Sequence, residues 1–170
     1  DTSGAASITT TDIDSNSFDN CSITLSLDIF NFDCNDVGAN TVILTATDVS
    51  GNVDSATAVV TVVDTIRPTV LTNNLPIYLN ASGTASISTS DIVNSSFDNC
   101  GISSLSLDIT SFDCNDVGAN TVVLTATDVN SNSRSATAIV IVLDTISPVI
   151  LTVPNDITLG YCDALYTYSA

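Results

Sequence analysis

The sequence predicts an all-β protein built from antiparallel β-sandwiches. Three observations support this fold class. The chain is rich in Thr, Val and Ile, which favour strands, and in Ser, Asn and Asp, which favour turns. It contains no Glu, Lys, Gln or Met, so the good helix formers apart from Ala, Leu and Arg are missing. Short apolar stretches alternate with turn signals every eight to twelve residues, which is the spacing of a sandwich.

The charge of the chain is strongly unbalanced. Its 170 residues include 19 acidic and 2 basic side chains, giving a formal net charge of −17. Nucleic acid is therefore excluded as a partner, because phosphate backbones are bound by clustered Lys and Arg. Hydrophobic residues still make up 44% of the chain, which is enough to build a core. No apolar run approaches the ~18 to 20 residues of a membrane helix, so we expect any membrane association to be indirect, through the parent protein.

The sequence repeats itself. Residues 32–40 (FDCNDVGAN) return unchanged as residues 112–120, and residues 17–21 (SFDNC) return as residues 96–100. The offset is 79 residues at the first cysteine of each unit and 80 residues at the second cysteine. A period of this length is that of a domain with its own core. We expect three units: a repeat without its first strand over 1–64, a complete repeat over 65–144, and the start of a divergent third repeat over 145–170.

The elements of the complete repeat can be predicted in order. Pro68 opens a strand region that continues to Leu79, and a turn over 80–83 leads into a returning strand. The stretches 101–108 and 121–128 each place apolar residues on one face, with a turn over 117–120 between them. The strand over 133–143 is the most apolar and leads directly into the next Pro. We therefore expect neighbouring repeats to be joined end to end by only a few residues, as in a stiff rod.

These motifs resemble a known class of repeats. The order DNCGI, SLSLD, SFDC, DVGANTV and LTATDVN, closed by TVVD or IVLD before Pro, resembles the HYR-like and immunoglobulin-like repeats of giant secreted surface adhesins of gliding Bacteroidetes. The resemblance covers nearly all of 1–148, and residues 154–158 and 162–164 resemble the start of the related HYR subtype. It implies tandem immunoglobulin-like sandwiches that form the stalk of an adhesin exported by the type IX secretion route.

The cysteines occur as two per repeat, with a fifth, Cys162, in the third unit. The chain has no His and no CxxC motif with which to build a zinc site. We therefore predict one disulfide within each repeat, Cys21 to Cys34 and Cys100 to Cys114, with a Phe packed as core beside each bridge. A ligand-stacking role for these Phe residues is the alternative. Disulfides place the chain outside the cell, at the cell surface.

The aspartates also recur at matching places and raise the question of calcium. Carboxylates and amide carbonyls are the hard oxygen ligands that Ca²⁺ takes, and turns at the ends of sandwiches would bring them together. The alternative is that these residues form turns and keep strand edges from pairing with neighbours. The candidate ligands form one set in each repeat: Asp12, Asp19 and Asp48 in the first, and Asp91, Asp98 and Asp128 in the second.

Catalysis is hard to build from this inventory, because the chain has no His for a general base and no Lys for a Schiff base. We expect a protein without enzymatic activity. A pattern of Asp, then Ser or Thr, then an apolar residue resembles the O-glycosylation acceptor of Bacteroidetes secreted proteins, and it marks Ser55, Thr65 and Thr145.

The function predicted from these observations is that of a stalk or filament segment of a large bacterial adhesin, which supports surface attachment and gliding motility. The expected partners are neighbouring repeats of the same chain and laterally associated copies of the filament. Two alternatives remain: an immunoglobulin-like module that binds a ligand or glycan, and a spacer in a secreted enzyme. The absence of Trp argues against a stacking platform for sugars.

Overall fold

A computed structural model describes residues 3–153 of the chain. The predicted third repeat lies largely outside the described residues, and so does Cys162. The described chain consists mostly of β-strands in several sheets, as the composition predicts. None of its helices is long and apolar enough to cross a membrane.

Residues 3–64 of the first repeat contain five strands, one short α-helix and a one-turn 3-10 helix at Cys34–Asp36. The elements, in chain order, are β1 (Ala6–Ser7), α1 (Thr10–Ile13), β2 (Ile23–Leu27), β3 (Asn31–Phe32), β4 (Gly38–Asp48) and β5 (Val53–Val62). Strands β2, β4 and β5 form an antiparallel sheet, and β1 pairs with β3.

The second repeat has the same elements in the same order, with three additional strands: two at its start and one directly after its α-helix. A 3-10 turn at Cys114–Asp116 again precedes the long strand pair. The elements are β6 (Thr69–Thr72), β7 (Leu75–Tyr78), β8 (Thr84–Ser86), α2 (Thr89–Ile92), β9 (Val93–Phe97), β10 (Ile102–Leu107), β11 (Ser111–Asp113), β12 (Gly118–Asp128) and β13 (Ser133–Leu143). One sheet runs in the order β10-β12-β13-β7, while β6 pairs with β9 and β8 with β11.

The register of the long strands is the same in both repeats. Gly38 lies opposite Val62 in the first repeat, and Gly118 lies opposite Val142 in the second. The predicted turn over 117–120 is wrong, because Gly118–Asn120 already pair with β13 and the chain reverses earlier, in the 3-10 turn. The predicted strand over 68–79 is two strands, of which β7 runs parallel to β13.

The core of the second repeat lies between its sheets. Val70 of β6 packs against Leu124 and Ala126 of β12 and covers that end of the sheet. A larger cluster fills the other end, and its buried members are Leu79, Ile87, Ile92, Phe112, Val122, Ala138, Val140 and Val142. Within residues 3–64 no described strand is a counterpart of β6, so Ala46, which matches Ala126, stays partly exposed.

The aromatic residues beside the cysteines divide into two groups. Phe32 and Phe112, two residues before the second cysteine of each repeat, are buried as core residues. Phe18 and Phe97, three residues before the first cysteine, are 89% and 67% exposed, so the expectation of core packing is wrong for them.

Candidate metal centre and disulfide at the repeat junction

The disulfide joins the two repeats. Cys34 of the first repeat is bonded to Cys100 of the second, 66 positions further along the chain, with the two Cα atoms 5.3 Å apart. Cys21 and Cys114 are free and exposed in the described part of the chain. The predicted pairs Cys21–Cys34 and Cys100–Cys114 are therefore wrong, although Cys34 and Cys100 do form a disulfide.

The lengths of the strands explain this pairing. Cys114 lies just before Gly118, where β12 begins, and Cys100 lies beside the far end of β12, because the Val129 amide donates to the Gly101 carbonyl at 3.2 Å. A strand of 11 residues spans roughly 33 Å, whereas disulfide-bonded Cα atoms lie within about 7 Å of each other. The two cysteines of one repeat thus lie at opposite ends of the sheet, and Cys34 of the first repeat meets Cys100 of the second instead.

Backbone groups surround the sulfur of Cys34. The Sγ atom lies 3.8 Å from the Gly4 carbonyl oxygen and 3.5 Å from the Asn99 carbonyl oxygen. Gly4 has a φ of +77°, and a Cβ atom there would lie 2.8 Å from this sulfur. In the second repeat, Gly83 has the same relation to Cys114, whose Sγ lies 3.7 Å from the Gly83 carbonyl oxygen. The second cysteine of each repeat is thus placed in the same way.

Three carboxylates meet beside this disulfide. Asp64 follows β5 at the end of the first repeat, Asp98 follows β9, and Asp128 ends β12. One oxygen atom from each lies within 4.8 Å of the other two. Asp98 and Asp128 are 7% and 1% exposed. At an effective dielectric constant near 20, two unit charges at 4.8 Å repel each other by roughly 3.5 kcal/mol, so the burial of Asp98 and Asp128 beside the half-buried Asp64 calls for a partner of opposite charge.

Local hydrogen bonds hold each carboxylate in place. Asp98 Oδ1 accepts from the Cys100 amide at 2.9 Å, which ties this carboxylate to the disulfide. Asp64 Oδ1 accepts from the Ile66 amide at 3.0 Å. The second oxygen atoms of Asp64 and Asp98, and Oδ1 of Asn99, are buried and have no hydrogen-bond partner.

Asp128 organises the hairpin between β12 and β13. Its Oδ1 accepts from the amides of Asn130 and Asn132, both at 2.8 Å, and its Oδ2 accepts from Asn132 Nδ2 at 2.9 Å. Asn132 Nδ2 also donates to the backbone carbonyl of Asp64 at 3.2 Å, across the junction. The hairpin that positions Asp128 therefore also contacts the first repeat.

The structure brings together only part of the predicted metal set. Asp98 and Asp128 meet, but their third partner is Asp64 and not Asp91. Asp91 is exposed and caps α2, where its Oδ2 accepts from the Ser88 amide and hydroxyl, both at 2.7 Å. These two bonds, that from the hydroxyl most of all, hold the pKa of Asp91 below its ordinary value.

The predicted set of the first repeat does not form a cluster of this kind among residues 3–153. Asp12 caps α1 in the same way as Asp91 caps α2, with the Thr9 amide and hydroxyl lowering its pKa. Asp48 organises its hairpin turn through Asn52, whose side chain lowers the Asp48 pKa, and Asp19 is exposed. Asp64 was missed because it is separated from the turn aspartates along the chain, although its recurrence as Asp144 at the end of the next repeat was a usable signal.

The three predicted glycosylation acceptors, Ser55, Thr65 and Thr145, are all exposed. Their modification stays a prediction, which the intact mass of native material would test.

No protein-family model matches the chain, and no curated protein matches it. Among solved structures it is similar to extracellular cadherin domains 1–4 of protocadherin gamma B7, with 17% identity and a TM-score of 0.35, over 75% of this chain and 40% of that one. It is also similar to an endo-fucoidan hydrolase of glycoside hydrolase family 107, with 14% identity and a TM-score of 0.26, over 81% of this chain and 27% of that one. The chain thus spans less than half of either structure, and likenesses at these TM-scores carry no assignment of fold or function.

Proposed function

We propose that this chain is a segment of a stiff extracellular stalk, in which immunoglobulin-like sandwiches are joined end to end. The observation that carries the proposal is the disulfide between Cys34 and Cys100, because it ties two successive repeats together. A bond within each repeat would stabilise single units, whereas a bond between repeats restrains how one unit rotates against the next.

Other contacts at the junction support a fixed arrangement. Residues 65–68 link the two repeats, and Pro68 at their end is fully buried. The bond from Asn132 to the Asp64 carbonyl adds a third restraint beside the linker and the disulfide. The net charge of −17 opposes collapse of such a rod onto itself at low ionic strength.

The cellular role follows from the resemblance of the motifs to adhesin repeats of gliding Bacteroidetes. In this proposal the stalk belongs to a large adhesin at the surface of a bacterium, exported by the type IX route, and it supports attachment and gliding. A disulfide fits an oxidising location outside the cytoplasm. Near-identical units suit a spacer, since the number of units then matters more than the surface of any one of them.

Small-angle X-ray scattering on the purified chain tests the shape. Two bodies of about 80 residues whose centres are about 33 Å apart, the length of an 11-residue strand, have a radius of gyration of about 20 Å. A single compact body of 170 residues has one of about 15.5 Å. A value near the lower figure would contradict the stalk.

The role in the cell is tested by deleting a block of repeats from the native gene. We expect a shorter surface filament and weaker attachment, with secretion unchanged. Normal adhesion and gliding by cells with the shortened stalk, or hydrolysis of a substrate by the isolated repeats, would refute the proposed function.

A further inference from the structure

The carboxylate cluster at the junction has properties that point to a ligand. Asp98 is 93% buried, and its Oδ2 atom has no hydrogen-bond partner. Asp64 Oδ2 is also buried and without a partner. The chain has no Lys or His, and both of its Arg residues, Arg67 and Arg134, are exposed. A bound divalent cation would offset two of the three negative charges and provide a partner for the buried oxygen atoms that lack a hydrogen bond.

The donor set selects the class of cation. The cluster offers carboxylate oxygen atoms only, and the nearby sulfur atoms of Cys34 and Cys100 are consumed in the disulfide. Soft and borderline metals such as Zn²⁺ or Cu²⁺ prefer sulfur and imidazole ligands. Between the hard cations, Ca²⁺ accepts several carboxylates in irregular geometry, whereas Mg²⁺ keeps most of its water and demands an octahedron.

The two repeats supply an internal comparison. Asp19 and Asp48 are the first-repeat counterparts of Asp98 and Asp128, and Asp144 is the counterpart of Asp64. Asp19 and Asp144 are exposed and Asp48 is only half-buried, whereas both Asp98 and Asp128 are buried. Among residues 3–153, two of the three carboxylates are buried where the end of the first repeat meets the start of the second.

We propose that Asp64, Asp98 and Asp128 bind one Ca²⁺ ion across the junction, with Asp64 supplied by the first repeat and the other two by the second. The ion would hold the two repeats in a fixed orientation. Its role in the cell rests on the proposed function of the chain as a stalk. The disulfide and the ion support each other, because the Cys100 amide holds Asp98 in place.

The test is an isothermal titration calorimetry experiment in which the chelator-treated full chain is titrated with CaCl2 in 150 mM NaCl. We expect one ion per chain, with a dissociation constant in the ~0.1 to 1 mM range of extracellular calcium modules. Calcium at ten times that constant raises the folding equilibrium constant about 11-fold, so the chain melts at a higher temperature in CaCl2 than in EDTA. Mg²⁺ at equal concentration is expected to bind more weakly.

Matched variants decide whether these residues form the site. Asp64→Asn and Asp98→Asn should each weaken Ca²⁺ binding at least tenfold, and both should fold, because Asn keeps the Oδ1 acceptor used by Ile66 or Cys100. The controls Asp144→Asn and Asp19→Asn change the same positions of the neighbouring repeat and should leave binding unchanged. Absence of binding, or an equal loss in the controls, would overturn the site and indicate at most loose attraction to an acidic surface.

Scattering on the same samples separates the two proposals. An extended chain that binds no Ca²⁺ would overturn the metal site and still support the proposed stalk. A compact chain that binds one Ca²⁺ through Asp64 and Asp98 would support the site and refute the stalk.

Discussion

Removing the disulfide between repeats should destabilise the protein strongly, and an unbonded counterpart provides the control. Cys34→Ala breaks the bond to Cys100, whereas Cys114→Ala changes the same position of the second repeat, where the thiol is free. The two side chains have the same sequence neighbours and similar surroundings, since each sulfur lies close to a glycine carbonyl. The pair of variants therefore isolates the contribution of the covalent link.

The magnitude follows from the length of the closed loop. In the chain-entropy model, a loop of 66 residues gives roughly 4 kcal/mol of stabilisation at 25 °C. A bond between the two cysteines of one repeat would close a loop of about a dozen residues and give roughly 3 kcal/mol. For a protein of this size, 4 kcal/mol corresponds to a shift in melting temperature of about 8 to 16 °C. The Cys114→Ala variant should stay within about 0.5 kcal/mol of the wild type, as is usual for an exposed side chain.

Thermal melting with and without a reducing agent measures the effect. The reduced wild type should have the same melting temperature as Cys34→Ala. The Cys114→Ala variant should have the same melting temperature as the oxidised wild type. Peptide mapping without reduction should yield the 34–100 pair. Equal melting of the two variants, or recovery of a Cys21–Cys34 peptide, would refute the reasoning from strand length.

Two further predictions concern the capping aspartates and the free cysteines. Because hydrogen bonds lower the pKa of Asp91 in the folded state, its contribution to stability is present above the ordinary value of 3.8 and is lost as the pH falls through the folded pKa. Melting curves from pH 7 to pH 2 should therefore fall less steeply in acid for Asp91→Asn than for the wild type, and parallel curves would contradict this. Cys114 and Cys21 are the counterparts of Cys34 and Cys100, so oxidation of the purified chain should form head-to-tail multimers linked Cys114 to Cys21. If peptide mapping finds Cys21–Cys21 and Cys114–Cys114 pairs as often as Cys114–Cys21 pairs, the head-to-tail arrangement is wrong.

The sequence alone determined the class of the fold and the internal repeat. Alternation of apolar residues and turn signals is a local property, so the strands at 102–107 and 133–143 could be predicted from it. The same local signal misplaced the turn at 117–120, because Gly118 and Asn120 favour turns in isolation but pair with β13 in the folded protein. The short helices at 10–13 and 89–92 were not predicted, since four residues carry too little periodicity to be recognised.

Only the tertiary structure decided which cysteines and which aspartates meet. The two cysteines of each repeat lie about a dozen residues apart in the sequence, which predicts a bond between them. The intervening chain crosses from one end of the sheet to the other, so Cys34 meets Cys100 of the next repeat instead. Asp64 joins Asp98 and Asp128 for the same reason, because the end of one repeat is the neighbour of the start of the next. Spacing along the chain cannot reveal such contacts, since they depend on how long the strands are and which of their ends face each other.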